Sequence, residues 1–198
     1  ELAAVMPGAQ GLIVRSATQV DRALLEASPD LMVVGRAGVG LDNVDVDMAT
    51  QRGVMVCNAP LSNVVSAAEQ AVGLMLSLAR NIPQAHSALM QGRWERNSWT
   101  GVEMFEKTVG IVGLGRVGRL VAERVAGFGV RLVAYDPYVS EESGREIGVE
   151  MMNLDDLLAV ADFVSIHLPK TPETIGLFDA DRLATMKPSA RLVNTARG

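Results

Sequence analysis

Three short apolar runs, "GLIVRS", "LMVVGRAG" and "GVMVCNAP", lie in the first third of the chain, and each closes on a polar or glycine-rich turn. The segments between them, "TQVDRALLEASP" and "NVDVDMATQRG", carry their apolar residues at helical spacing. Short runs alternating with helical stretches predict a βαβαβ unit with a parallel sheet. The next segment, "SNVVSAAEQAVGLMLSLAR", predicts a long helix, with Ala68, Ala71, Val72, Met75, Leu76 and Ala79 on one face. Ser66 with Glu69 fits a capping box at its start, and Asn63 fits a cap equally well. The face is rich in small residues, so it suits close packing. "IPQAHSALMQGRW" reads as a second helix and "ERNSWTGVEMFEK" as a linker.

The alternation then restarts. Strands are predicted at "TVGIVG", "RLVAYD", "FVSIHL" and "RLVN", with a weaker one near "VEMM". Helices are predicted over Arg116 to Phe128, Leu154 to Ala161 and Asp179 to Met186. The expected class is α/β, in three parts: residues 1–62, a pair of connecting helices over 63–94, and a second α/β domain over 95–198.

One turn carries the strongest chemical signal. Gly113, Gly115 and Gly118 form G-x-G-x-x-G directly after an apolar strand and at the start of an amphipathic helix. In that context the first glycine permits the tight turn. The second lets a pyrophosphate approach the backbone, and the third lets helix and strand pack closely. The helix N-terminus offers free N–H groups to the phosphates. Asp136 ends the next predicted strand, where a carboxylate can accept hydrogen bonds from a ribose and repel a 2′-phosphate. NAD is therefore expected over NADP. A structural strand-turn-helix with an ordinary surface Asp is the plainer alternative.

A second glycine turn, "GRAGVGLDN", lacks both a following helix of useful length and a matching acid. Arg36 opens it, and Arg15 ends the preceding predicted strand. Two arginines at neighbouring strand ends can clamp a carboxylate or phosphate. The same spacing fits two solvated arginines. His167 ends "FVSIHL" at the edge where a dinucleotide would lie, as a lining residue, a proton donor, or a residue held there by its backbone. His86 reads as a surface or packing residue, and Cys57 as a core residue.

Composition narrows the functional classes. A net charge of -5 argues against a nucleic-acid surface, so an anionic ligand must be held by local arginines. A single cysteine excludes an internal disulfide and fits a reducing, cytoplasmic setting. No metal-ligand spacing occurs. No apolar run reaches the roughly 20 residues of a membrane span, and no signal peptide is visible. The chain begins with Glu1, which fits a piece of something longer or a processed form.

These residues resemble the D-isomer-specific 2-hydroxyacid dehydrogenases. "VGLGRVGRLVAERVAGFGVRLVAYDP" is similar to that family's dinucleotide signature, "ADFVSIHLPKTPETIGLF" to its second signature and "MKPSARLVNTARG" to its third. "GLIVRSAT", "GRAGVGLDNVD" and "NAPLSNVVSAAE" resemble the branch that acts on phosphoglycerate. The resemblance implies a Rossmann-type doubly wound parallel sheet plus a partial flavodoxin-like α/β substrate-binding domain. It implies NAD-dependent oxidation of D-3-phosphoglycerate to 3-phosphohydroxypyruvate, and a homodimer or homotetramer.

It also implies residue roles. Arg197 matches the arginine that orients the substrate carboxylate. Arg15, Arg36 and Asn63 match substrate contacts, with the Gly38–Val39 backbone at the substrate and nicotinamide end, and Arg96 matches a basic residue near the substrate phosphate. Arg116 and Val117 match the pyrophosphate turn, and Asp136 with Pro137 the adenosine ribose contact. Leu168, Pro169, Thr174, Thr195 and Ala196 match the wall of the cofactor cleft, beside the position expected for His167. Two departures stand out. Glu106 occupies a turn position where relatives usually carry glycine, and if that turn needs a positive φ the Glu costs about 1 kcal/mol there. The family's first strand, and its catalytic histidine with the paired glutamate, are expected to lie outside this chain.

Overall fold

The computed structural model describes residues 2–196. The chain divides into two compact units, residues 1–64 and 65–198.

The first unit runs α1 (Leu2–Val5), β1 (Gly11–Val14), α2 (Arg22–Glu26), β2 (Val33–Arg36), α3 (Val46–Gln51) and β3 (Met55–Asn58). The strands form a parallel sheet in the order β1-β2-β3. Each step moves the same way across the sheet, so right-handed crossovers put α2 and α3 on one face. Asp21 and Asp45 start those helices, their carboxylates accepting from Leu24 N and Met48 N at 2.9 Å. Val14 and Val34 pack beneath Leu24, Leu25, Met48 and Ala49. Strand register sets Ile13 and Met55 on the opposite face, where they are 82% and 64% exposed. Cys57 shares that face and is exposed, so the expected core cysteine is a surface one. Apolar alternation marks a strand without saying whether a layer covers both of its faces.

The second unit is built around a parallel sheet in the order β6-β5-β4-β7-β8. Its elements are α4 (Val64–Arg80), α5 (Ile82–Met90), β4 (Thr108–Val112), α6 (Arg116–Ala126), β5 (Arg131–Tyr135), α7 (Glu141–Glu146), β6 (Glu150–Met151), α8 (Leu154–Val160), β7 (Phe163–Ile166), α9 (Ala180–Thr185) and β8 (Arg191–Asn194). Both faces are covered. Val109, Ile111 and Phe163 pack with Ala68, Ala71, Met75 and Ala79 of α4 and with Val121 and Val125 of α6. On the other face Val112, Val133 and Val164 meet Leu154, Leu157 and Leu158 of α8. All five residues of β4 are buried.

The helix face expected from Ala68 to Ala79 is the buried one. α4 begins at Val64, directly after Asn63, so Ser66 lies inside its first turn and not at its N-cap. Glu69 instead reaches Arg124 at 3.8 Å. Helix α7 was not expected, because "EESGRE" has no apolar periodicity. Ser140 caps it, its hydroxyl accepting from Ser143 N at 3.2 Å. Glu106 has φ 58°, so the turn where a glycine is usual does need a positive φ.

Candidate dinucleotide and anion sites

In the second unit the chain moves outward from β4 to β5 and β6, then returns to place β7 and β8 on the other side of β4. The strand order reverses between β4 and β7. Open parallel sheets bind ligands beyond the carboxyl ends of their strands at such a reversal. The residues there are the glycine turn after β4 and His167 after β7.

The three glycines are required for different reasons. Gly113 has φ 96°, and a Cβ on it would lie 2.9 Å from the His167 carbonyl carbon and 3.1 Å from Leu168 Cδ2. A Cβ on Gly118 would overlap the Gly113 carbonyl oxygen. Gly115 has φ -73° and ψ -160°, which any residue adopts. A Cβ there would meet no described atom within 4 Å. Nothing in the described protein needs a glycine at position 115. The position opens onto the start of α6, which has no side-chain cap and no acid in its first turn. The first turn of a helix directs its backbone N–H groups outward from that start.

Asp136 is tied to this turn. Its Oδ2 accepts from Leu114 N at 2.8 Å, and its Oδ1 from Tyr138 N at 2.9 Å. These bonds fix the carboxylate and leave each oxygen a further lone pair for a hydroxyl donor. Gly113 N donates to Tyr135 O at 2.8 Å, and Arg119 Nε to Leu114 O at 3.2 Å, so the turn is braced from both strand and helix. Pro137 is exposed beside it.

His167 N donates to Val112 O at 2.8 Å, which continues the β4–β7 pairing into the turn. Burial pushes its imidazole down to about 4, so it is neutral at pH 7. Its Nε2 lies 2.8 Å from the Oγ of Ser165, a fully buried residue. Beyond His167, a cavity of about 450 Å³ is lined by Leu168, Pro169, Thr174 and Ala196, with Phe178 and Leu192. The Thr174 hydroxyl donates to Pro169 O at 2.7 Å and accepts from Thr171 N at 2.9 Å, so it shapes this wall from within its own loop. The Thr195 hydroxyl is buried without a hydrogen-bond partner among the described residues. Arg197 lies outside the described residues.

The first unit holds a separate cluster at its strand ends. Val14 pairs with Arg36 and Arg36 with Asn58, which sets Arg15 one residue beyond the neighbouring strand end. Gly38 has φ 153°, and a Cβ on it would overlap Arg36 Nη1, so the guanidinium lies across that glycine. The Arg36 Nε is buried without a partner among the described residues. Asn58 Nδ2 donates to Val39 O at 2.7 Å, and Ala59 N to Gly38 O at 2.9 Å, pinning the Gly38–Val39 turn to the end of β3. Asn43 Nδ2 donates to Arg15 O and Thr18 O at 3.0 and 2.6 Å, holding the loop that carries Arg15. Arg15 and Asn63 are exposed, as is Arg96 in the second unit, in the segment between α5 and β4.

Sequence reasoning missed Asn43, Asn58, Ser165 and Arg119. The one available signal was a polar residue inside an apolar run, as at Ser165 in "FVSIHL". Among the described residues no cluster of His, Cys, Asp or Glu can hold a metal, and no helix is long and apolar enough to cross a membrane.

Residues 72–198 match the family model described as "D-isomer specific 2-hydroxyacid dehydrogenase, NAD binding domain". The whole chain is 58% identical over 198 residues to a D-3-phosphoglycerate dehydrogenase of Mycobacterium tuberculosis, and spans 38% of that relative's length. Among solved structures, an NAD-dependent formate dehydrogenase from Staphylococcus aureus in complex with NAD superimposes with a TM-score of 0.91 at 38% identity, over 100% of this chain and 60% of that one. A D-lactate dehydrogenase from Aquifex aeolicus, complexed with NAD and lactic acid, gives a TM-score of 0.91 at 28% identity, over 99% of this chain and 59% of that one. With its NAD-binding domain matched over most of its length, this chain belongs to the D-isomer specific 2-hydroxyacid dehydrogenase family.

Proposed function

We propose that this chain is part of an enzyme that oxidises D-3-phosphoglycerate to 3-phosphohydroxypyruvate with NAD, the entry step of serine synthesis. The observation that carries the cofactor half is Gly115, a glycine that no described contact and no backbone angle requires. A diphosphate lying against the start of α6 would require it. The identity to phosphoglycerate dehydrogenases over the full 198 residues supports the substrate half.

NAD, when bound, would supply the hydride acceptor for oxidation at the carbon that bears the substrate hydroxyl. In this reading the Gly113–Gly118 turn, with the N–H groups of Arg116 and Val117, holds the pyrophosphate. Asp136 and Pro137 receive the adenosine ribose. His167, Leu168, Pro169, Thr174, Thr195 and Ala196 line the cleft. Arg15, Arg36, Asn63 and Arg96 hold the anionic substrate beside the Gly38–Val39 backbone, and Arg197 grips its carboxylate. Residues 63–94 join the two domains, and the working form is a cytoplasmic homodimer or homotetramer. A glyoxylate or hydroxypyruvate reductase of the same family has an uncharged substrate tail, and the Arg15–Arg36 pair would have no second anion to bind.

The test uses the full-length protein. Arg36→Ala should weaken phosphoglycerate binding about tenfold or more, the loss of a charge-assisted pair worth about 1.5–3 kcal/mol, while NAD binding stays unchanged. Equal losses for both ligands would make Arg36 structural. Asp136→Ala should narrow the preference for NAD over NADP. The isolated 198-residue chain should bind NAD by calorimetry but form no NADH from phosphoglycerate, because the resemblance puts the proton acceptor outside it.

A further inference from the structure

We propose that Ser165 is a positioning residue that locks His167 in the tautomer carrying its proton on Nδ1, so that His167 serves the bound dinucleotide as a hydrogen-bond donor and cannot act as a base. The inference rests on the dinucleotide reading above for its ligand. Its first half, the tautomer, stands on the ligand-free protein alone.

Ser165 and His167 are two residues apart at the end of β7, so their side chains leave the same face of the sheet. Phe163 shares that parity and packs into the core against α4 and α6. Ser165 is fully buried there, and among the described residues the only partner of its hydroxyl is His167 Nε2 at 2.8 Å. A serine hydroxyl has one proton to give. If Nε2 carried the histidine's proton and donated it to Oγ, the serine proton would be left without an acceptor inside the protein. A buried unsatisfied donor is costly, so the hydroxyl donates to Nε2. Burial keeps the ring neutral at pH 7, and its single proton therefore resides on Nδ1. Among the described residues Nδ1 has no partner. It is also absent from the buried unsatisfied atoms, so it remains open to solvent or ligand.

The chemistry of the ring follows. Nε2 has its lone pair engaged by Ser165, and Nδ1 has none to offer. His167 has no free site to take the substrate's hydroxyl proton. It can give a hydrogen bond through Nδ1–H to an acceptor oxygen of a ligand at the strand reversal, beside Gly113. A dinucleotide presents such oxygens on its ribose, phosphate and carboxamide groups.

The tautomer is read directly from long-range 1H–15N correlation spectra of the purified chain near pH 7. His86→Gln identifies the His167 signals, since the chain has only these two histidines. The expected spectrum shows a pyrrole-like Nδ1 and a pyridine-like Nε2. Protonated Nε2 in the wild type would overturn the proposal without any variant. Ser165→Ala should mix or reverse the tautomers and weaken NAD binding about three- to tenfold, the loss of one oriented hydrogen bond. Ser165→Thr, which keeps the hydroxyl, should restore both. Weaker NAD binding in Ser165→Ala with the tautomer unchanged would make Ser165 a packing residue and overturn its positioning role. An Nδ1–H signal that is intact but indifferent to saturating NAD would overturn the donor role. Failure of NAD to bind at all, with the same tautomer, would overturn the dinucleotide reading and leave the serine's hold on the ring established.

Discussion

The two sheets of this molecule are both parallel and differ in how they are covered. In the first unit the strands step in one direction, and one face stays bare, with Ile13 82% exposed. In the second the strand order reverses after β6, helices cover both faces, and β4 is wholly buried. The reversal does two jobs at once. It sends α8 to the face opposite α6, which completes the core, and it parts the chain at the carboxyl ends of β4 and β7, which opens the crevice where Gly113 and His167 meet. The first sheet has no reversal among its described strands. Its candidate chemistry is borne by side chains at strand ends, Arg15 and Arg36, and by the turn that Asn58 and Asn43 hold in place.

The largest effect should separate the two cores. Phe163→Ala in the doubly covered sheet should cost about 3–5 kcal/mol of stability. Ile13→Ala on the bare face should stay within about 0.5 kcal/mol. Urea unfolding of the isolated chain reads both. A large loss at Ile13 would mean that the face is covered in solution, and the contrast between the sheets would fail.

Next in size is a contrast inside the glycine turn. Gly118→Ala must push against the Gly113 carbonyl and should cost about 1–3 kcal/mol. Gly115→Ala should leave stability within about 0.5 kcal/mol and weaken NAD binding by roughly tenfold, or about 1.4 kcal/mol. Calorimetry with NAD, beside thermal unfolding, distinguishes the two. A Gly115 variant with unaltered NAD affinity would remove the main support for a diphosphate at α6.

A smaller effect lies at the opposite end of the second sheet. Asp162 Oδ2 accepts from Thr108 N at 2.9 Å and its Oδ1 from Lys187 Nζ at 2.8 Å. Desolvation would raise its carboxyl, but the Lys187 and Thr108 hydrogen bonds and the charges of Lys187 and Lys107 outweigh it, and the value falls below 3.8. A lowered carboxyl stabilises the fold fully above the unfolded value and loses that contribution as the pH falls through the folded one. Asp162→Asn should therefore lower stability at pH 7 and flatten its loss below about pH 3.8. An unchanged acid limb would assign that loss to other carboxylates.

The smallest belongs to the exposed sheet edge. Arg131 and Glu150 pair at 2.7 Å across β5 and β6, both about half exposed. Glu150→Gln should change stability by less than about 1 kcal/mol, and by less still in high salt.

What could be read from the sequence is what neighbours along the chain decide. Helical and strand spacing depend on local periodicity, so β4, β5, β7 and the buried face of α4 were legible. So was the glycine turn, because Gly113 needs a positive φ and Gly118 a close helix. Glu106 stood out in the sequence as the exception to a turn glycine, while its φ of 58° came from the structure. The tertiary structure decided what depends on which layer lies above a strand. Cys57 and Ile13 sit in apolar runs and are exposed, because alternation records two faces and not their covers. Ser165 looks like one polar residue in a core strand. Only its burial leaves the hydroxyl with a single acceptor, and only that fixes the proton on His167. A hydrogen bond two residues apart is permitted by the sequence, but its direction is set by the absence of any other partner among the described residues, and that is a property of the packed sheet.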